Sequence, residues 1–329
     1  LLTIAFRILS KYGYRNESFP ESVHLLEHMM FKPEDKVFPV FQKIGGDVNG
    51  YVSMDEFSLY WNVPCVFQRE AIRAVDRILN ENRKLWTPQM LEKEKFVIVR
   101  EISDTFSDPK SYINIILRRK LFGEDAPGTH SPEAIEKAFS KVTLDDIKRE
   151  SEFLSPGNSV LSIVGDLEEE VVEVLEDWSG REPEIKSLTP KPDCGLHFEE
   201  KDLPESFISI GWIGAPRSSI DAEILGLLGA TLTAFPTSRL YRELRVRRGL
   251  VYFVSAVNLS FVDTGYFVIN TATRPRMVMD VINVINDQLD SIIHDGISEE
   301  EVNDMINMYF GALYNICLLY TSPSPRDRG

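Results

Sequence analysis

The strongest constraint on this chain is that its pattern of elements occurs twice. The first pass reads strand (2–9), apolar-rich helix (21–31), short helix (38–44), two paired strands (51–53 and 58–63), amphipathic helix (68–80) and a helix rich in Glu (87–106). The second pass reads strand (207–212), helix (222–232), short helix (238–245), two strands (251–257 and 265–271), amphipathic helix (276–293) and a further Glu-rich helix (298–314). The order returns after about 190 residues with little identity, the mark of an internal duplication. The expected fold class is therefore α+β, with two similar domains, each a mostly antiparallel sheet packed with helices.

Between the two passes the first half carries on for about 80 residues. It adds helices at 111–121, from Ser131 and from Thr143, a strand at 158–164 and a helix at 168–178. A stretch rich in Pro, Lys and Glu at 179–194 reads as a linker. The expected division is a first domain at 1–178, a second at 195–316 and a tail at 317–329. The end of that tail, Thr321 to Gly329, has no periodicity and reads as non-native. The chain opens inside a strand and the second half stops soon after its last helix. Truncation at both ends and an incomplete second domain are the expectation.

Composition narrows the function classes. A length of 329 residues, 43% of them apolar, fits two domains with sizeable cores. No run of 18 apolar residues occurs, so no membrane-spanning helix is expected. Asp and Glu number 51 against 36 Lys and Arg, a formal charge of −15. That sign argues against nucleic acid and anionic membranes as main partners and suits basic or extended peptides better. The three cysteines, Cys65, Cys194 and Cys317, have no metal-knuckle or disulfide spacing, which favours a reducing, cytoplasmic setting.

The chemistry concentrates in the 21–31 helix, which contains His24-Leu25-Leu26-Glu27-His28. Residues i and i+4 share a helix face, so both imidazoles address one volume, as two ligands of a tetrahedral zinc must. Glu27 lies on the same side. A carboxylate there can take a proton from a metal-bound water and return it to a leaving amine. An exposed helix with accidental His and Glu neighbours is the plainer alternative. Val23, Leu25, Leu26, Met29, Met30 and Phe31 around the triplet make the helix mostly buried, and buried ionisable groups need partners.

A catalytic zinc takes a third protein ligand and an open position. Glu92, Glu94 and Glu101 on the 87–106 helix are the candidates. Glu92, Lys93 and Lys95 form a solvated charge run. Glu94 and Glu101 are two turns apart on one face, and Glu101 sits at the apolar edge beside Val97. Spacing alone does not choose between them. His130, His197 and His294 are isolated and read as structural or solvated.

Taken in order, Leu26-Glu27-His28-Met29-Met30-Phe31-Lys32, Gly45-Gly46-Asp47-Val48-Asn49-Gly50 and Glu94 to Ile102 resemble the insulinase, pitrilysin and mitochondrial processing peptidase family of zinc metallopeptidases. The order His-x-x-Glu-His is that family's inverted motif. Ser238 to Arg245 and Arg248-Gly249-Leu250-Val251-Tyr252 resemble its second-domain signature, so the likeness spans Leu2 to Leu313. The resemblance implies His24, His28 and Glu101 as zinc ligands, Glu27 as catalytic base and Glu94 as support behind the ligands. It implies that Asn49, Gly50 and Tyr51 form a strand edge pairing with the substrate backbone. Arg245 and Tyr252 are implied to hold the substrate carbonyl.

It further implies the fold of half a peptidase clamshell, of the short-subunit type that works in pairs. One zinc per active site, peptide or unfolded substrates, and a homodimer or a heterodimer with a related subunit follow. Arg245 and Tyr252 then come from the partner chain. Two departures stand out: Pro33-Glu34 replaces the usual Gly-Thr after Lys32, and the stretch from His28 to Gly45 is short. The competing expectation is a non-catalytic scaffold subunit, which usually lacks the zinc motif.

Overall fold

Alternating burial along Thr3–Ser10 makes β1, whose Ile4, Phe6 and Ile8 all face the core. β2 (Asp47–Val52) and β3 (Phe57–Pro64) form a hairpin, and β3 pairs antiparallel with β1 in a register that sets Phe6 opposite Trp61. Those two rings stack with centroids 5.0 Å apart. Burial of each such side chain contributes roughly 1.5–3 kcal/mol. β4 (Ser159–Val164) adds to the free side of β1, giving an all-antiparallel sheet of order β2-β3-β1-β4. β2 is therefore an edge strand. The structure, a computed structural model, describes residues 3–168 and 182–319. Most of the expected 168–178 helix, the first linker residues and residues 320–329 of the expected tail lie outside the described residues.

Helices α1 (Ser22–Met30), α2 (Glu34–Lys43), α3 (Gln68–Asp76) and α4 (Pro88–Ser107) follow the expected order in this sheet's unit. α1 buries Val23, Leu25, Leu26, Met29 and Met30, and packs against β2 and α4. α2 starts four residues earlier than the expected 38–44. Pro39 sits inside it, where the missing N–H costs one i→i−4 bond without ending the helix. Gly45, at φ 65°, supplies the left-handed residue that stops α2. A π-helical turn at Arg77–Glu81 extends α3.

A second unit holds a sheet of order β5-β7-β6, from Ser206–Gly214, Gly265–Thr273 and Val251–Ser260. Its helices are α8 (Ile220–Thr233), a π-helical segment Tyr241–Arg247, α9 (Val278–Asp295) and α10 (Glu299–Leu319). The order β6-β7-β5 repeats β2-β3-β1, so the duplicated pattern is a duplicated topology. The protein is α+β, with antiparallel sheets packed by helices.

The units are not consecutive in sequence. One comprises Leu1–Ser107 and Pro127–Ser187, the other Asp108–Ala126 and Leu188–Gly329. Helix α5 (Pro109–Phe122), expected in the first domain, packs on β5. The reason lies in its apolar contacts, because Leu117 lies directly against Gly211 of that strand. Helices α6 (Pro132–Phe139) and α7 (Leu144–Ser151) return to the first unit, each opened by a side-chain cap from Ser131 or Thr143. The described linker residues are pinned rather than free. Asn16 Nδ2 donates to the Glu184 carbonyl at 2.7 Å, and the Lys191 amide donates to the Leu121 carbonyl at 2.9 Å. α10 runs to Leu319, into the segment expected to be tail.

Candidate metal centre

The apolar residues of α1 fix which way its polar stripe points. His24 and His28 are partly buried, with ring centroids 4.9 Å apart and planes nearly perpendicular. α4 brings two carboxylates to that stripe. Glu101 Oε2 lies 3.5 Å from Nε2 of both His24 and His28. One ligand atom from each of these three residues falls within 4.8 Å of the others. Tetrahedral ligands on zinc, at bond lengths of about 2.0–2.1 Å, sit about 3.3 Å apart. The half-exposed Glu101 side chain has room for that small adjustment.

The other ring nitrogens are also held. Glu94 Oε2 is 3.0 Å from His28 Nδ1, and Glu94 Oε1 pairs with Lys32 Nζ at 2.9 Å. Glu21 Oε2 is 2.9 Å from His24 Nδ1. An ionised carboxylate only accepts, so each Nδ1 carries a hydrogen, and a metal ion would take each Nε2 in place of any proton there. Glu94 thus stands behind the His28 ring, on the side away from Glu101. Glu92 pairs with Lys95 at 2.7 Å, but Lys95 is not solvated as expected: it is buried and also donates to the Val142 carbonyl at 2.7 Å.

The electrostatics favour a cation. Burial disfavours a charged His24, yet hydrogen bonds to Glu101 and Glu21 and the field of Glu27 outweigh it and raise the pKa to about 10. A field strong enough to hold a proton there also favours a divalent ion. Hydrogen bonding from His24 and the charges of both histidines lower Glu101 against its partial burial. Glu94 is buried, but hydrogen bonds from His28 and Lys32 carry it below the ordinary range. Glu27 goes the other way: burial pushes its carboxyl up, opposed by the two histidines. A carboxylate base tuned upward is suited to taking a proton near neutral pH. Two imidazoles and a carboxylate, each imidazole braced from behind, fit zinc.

β2 crosses beside this cluster. Asn49 is exposed on the edge strand and its Oδ1 accepts the Gly50 amide at 2.8 Å. A Cβ at Gly50 would lie 2.8 Å from Glu27 Oε1 and 3.3 Å from a Phe31 ring carbon, so a side chain there would push the Glu27 carboxylate aside. The Tyr51 hydroxyl is tied to Glu56 at 2.5 Å and receives Arg7, which commits that side chain to the sheet. Burial and Glu56 raise its pKa to about 12.

Arg245 and Tyr252 belong to the second unit, and the fold brings them together. The Arg245 guanidinium lies 4.8 Å from the Tyr252 ring centre, and Tyr252 is 76% exposed. Two residues escaped the sequence reading. Lys32 was visible in the motif but carried no role. Glu21 left one signal, an ionisable residue three positions before His24.

Comparison with known proteins adds the following. A family model described as the peptidase M16 inactive domain matches residues 141–309. The cluster of His24, Glu27, His28 and Glu101 lies outside that match. An uncharacterized zinc protease of Streptomyces coelicolor is 24% identical over 328 residues, covering 93% of this chain and 71% of its own length. Among solved structures, a peptidase M16 inactive domain from Pseudomonas fluorescens superposes with a TM-score of 0.83 at 19% identity, over 99% of this chain and 80% of that one. A chain of complex III2 from Candida albicans has a TM-score of 0.79 at 18% identity, over 95% of this chain and 77% of that one. These structures share the fold.

Proposed function

This chain belongs to the peptidase M16 family, and on that premise we propose that it is a zinc-dependent metalloendopeptidase cutting peptides or unfolded segments. The observation that carries the proposal is the convergence of the His24, His28 and Glu101 ligand atoms beside a buried Glu27. His24 Nε2, His28 Nε2 and a Glu101 oxygen would hold the ion. Zinc bound there supplies acidity, lowering the pKa of a bound water to about 7, and polarises the scissile carbonyl.

The chain's own residues do the rest. Glu27 accepts the proton of the attacking water on a carboxylate oxygen and delivers it to the leaving amine nitrogen, so the base is restored each turnover. Glu94 and Lys32 keep the His28 ring aimed. The open edge of β2 at Asn49–Gly50 adds the substrate as a further strand. Tyr51 serves there through its backbone, since its hydroxyl is engaged elsewhere. Arg245 and Tyr252 are assigned to the substrate carbonyl oxygen, in a site completed by a second chain of the same or a related kind.

Gly50→Ala tests the strand's closeness to Glu27. The new methyl displaces Glu27, so hydrolysis is expected to fall about 10²-fold, the cost of misplacing a catalytic group by about 1 Å. Zinc content is expected to stay unchanged, because Glu27 is not a ligand. Steady-state kinetics and metal analysis of the variant check both.

A non-catalytic scaffold subunit is the alternative, favoured by the inactive-domain description of the matched half. The deciding experiment measures metal content and hydrolysis of a quenched peptide on one sample, with and without a chelator. About one zinc per chain, with activity lost on chelation and restored by zinc, supports the peptidase. Zinc without hydrolysis, alone or with a related subunit, supports the scaffold. No zinc in folded protein overturns the metal centre. Among the described residues no helix is long and apolar enough to cross a membrane. The cysteine spacing, with no disulfide frame in the sequence, suits the cytoplasmic setting we propose.

A further inference from the structure

Glu21 is the only non-glycine residue with positive φ among the described residues, at φ 60° and ψ 21°. Side chains rarely tolerate that left-handed conformation, and it persists only where surrounding structure demands it. Glu21 is also buried, at 2% exposure, and it precedes the first residue of α1. A carboxylate in that position ordinarily accepts from the free N–H groups of the helix's first turn. Glu21 makes no such bond. Its Oε2 instead lies 2.9 Å from His24 Nδ1, while its backbone carbonyl accepts the Leu25 amide at 2.9 Å to start the helix. Strained backbone, a buried carboxylate and a forgone cap converge on one imidazole nitrogen.

We propose that Glu21 is a positioning residue of the metal centre, the counterpart at His24 of what Glu94 is at His28. It takes the Nδ1 hydrogen, fixes the tautomer and holds the ring so that Nε2 addresses the ion. The inference rests on the zinc reading above. Carboxylates behind a ligating histidine raise its basicity and set its orientation, and losing one weakens metal binding about 10–100-fold.

The test is zinc affinity of the full chain by competition with a chromophoric chelator, in wild type, Glu21→Gly and Glu21→Gln. Cobalt(II) visible spectra are read on the same proteins. Glu21→Gly relieves the backbone, and Glu21→Gln keeps the volume in case the cavity left by glycine unsettles the fold. Zinc dissociation constants are expected to rise about 10–100-fold in Glu21→Gly and by a smaller factor in Glu21→Gln, whose amide oxygen accepts without charge. The cobalt bands shift in both, which a merely structural role would not produce. Affinities within about twofold of wild type together with an unchanged cobalt spectrum overturn the inference while leaving the zinc centre standing. A wild type that binds neither metal overturns the zinc reading, and this inference falls with it.

Discussion

Replacing His28 with alanine is expected to remove zinc and hydrolysis together. The substitution deletes one of three protein donors, the Nε2 that faces Glu101 at 3.5 Å. The loss of a direct ligand exceeds the roughly 10–100-fold that follows from disturbing a residue behind one. The purified variant should therefore carry no stoichiometric metal. It also strips Glu94 of its imidazole partner, leaving that buried carboxylate with Lys32 alone. An unmade hydrogen bond at a buried polar group costs about 1–3 kcal/mol, so a lower melting temperature accompanies the metal loss. Metal analysis, hydrolysis and a thermal melt on one preparation separate the effects. Retained zinc in a folded His28→Ala protein rules out His28 as a ligand.

Glu27→Gln is expected to act in the opposite sense on two of the three readouts. The amide keeps the volume but cannot accept a proton, so kcat/KM should drop about 10²–10⁴-fold. Zinc should stay bound, since Glu27 is not one of the three converging donors. Stability should hold or rise. Burial already pushes the Glu27 carboxyl toward its neutral form, and a neutral isostere removes the cost of a charge crowded by Glu101 and Glu94. A variant that keeps zinc and still hydrolyses peptide at the wild-type rate removes Glu27 from the role of base.

The local features of this site were legible in the sequence. His24 and His28 follow from helical periodicity, and the burial of α1 follows from the apolar residues that enclose them. Glu101 was not chosen by spacing, because Glu94 and Glu101 share a face of α4 and either could reach α1. The family resemblance separated them; in the structure Glu101 faces both Nε2 atoms, whereas Glu94 faces the far nitrogen of His28. Glu21 shows in the sequence only as an ionisable residue three positions before His24, because no side-chain periodicity encodes its left-handed backbone. The start of α2 at Glu34 lies before the expected 38–44 helix, because Pro39 is accommodated mid-helix. The two π-helical segments, Arg77–Glu81 and Tyr241–Arg247, were read as ordinary helix, since their extra residue per turn leaves no compositional trace.

The interleaving of the two compact units bears on how the molecule can be dissected. Asp108–Ala126 belongs with the second unit but is written into the first half of the gene. A fragment beginning at the linker would be synthesised without α5. Leu117 would no longer lie against Gly211, Asn270 Nδ2 would lose the Asn114 Oδ1 to which it donates at 3.0 Å, and Phe122 would leave Tyr266. The bared apolar face of β5 would make such a fragment prone to aggregate. Complementation from separately expressed halves should therefore succeed only when the 108–126 segment is carried by, or supplied to, the C-terminal piece. An exchange of C-terminal halves between relatives would therefore have to carry α5 with it.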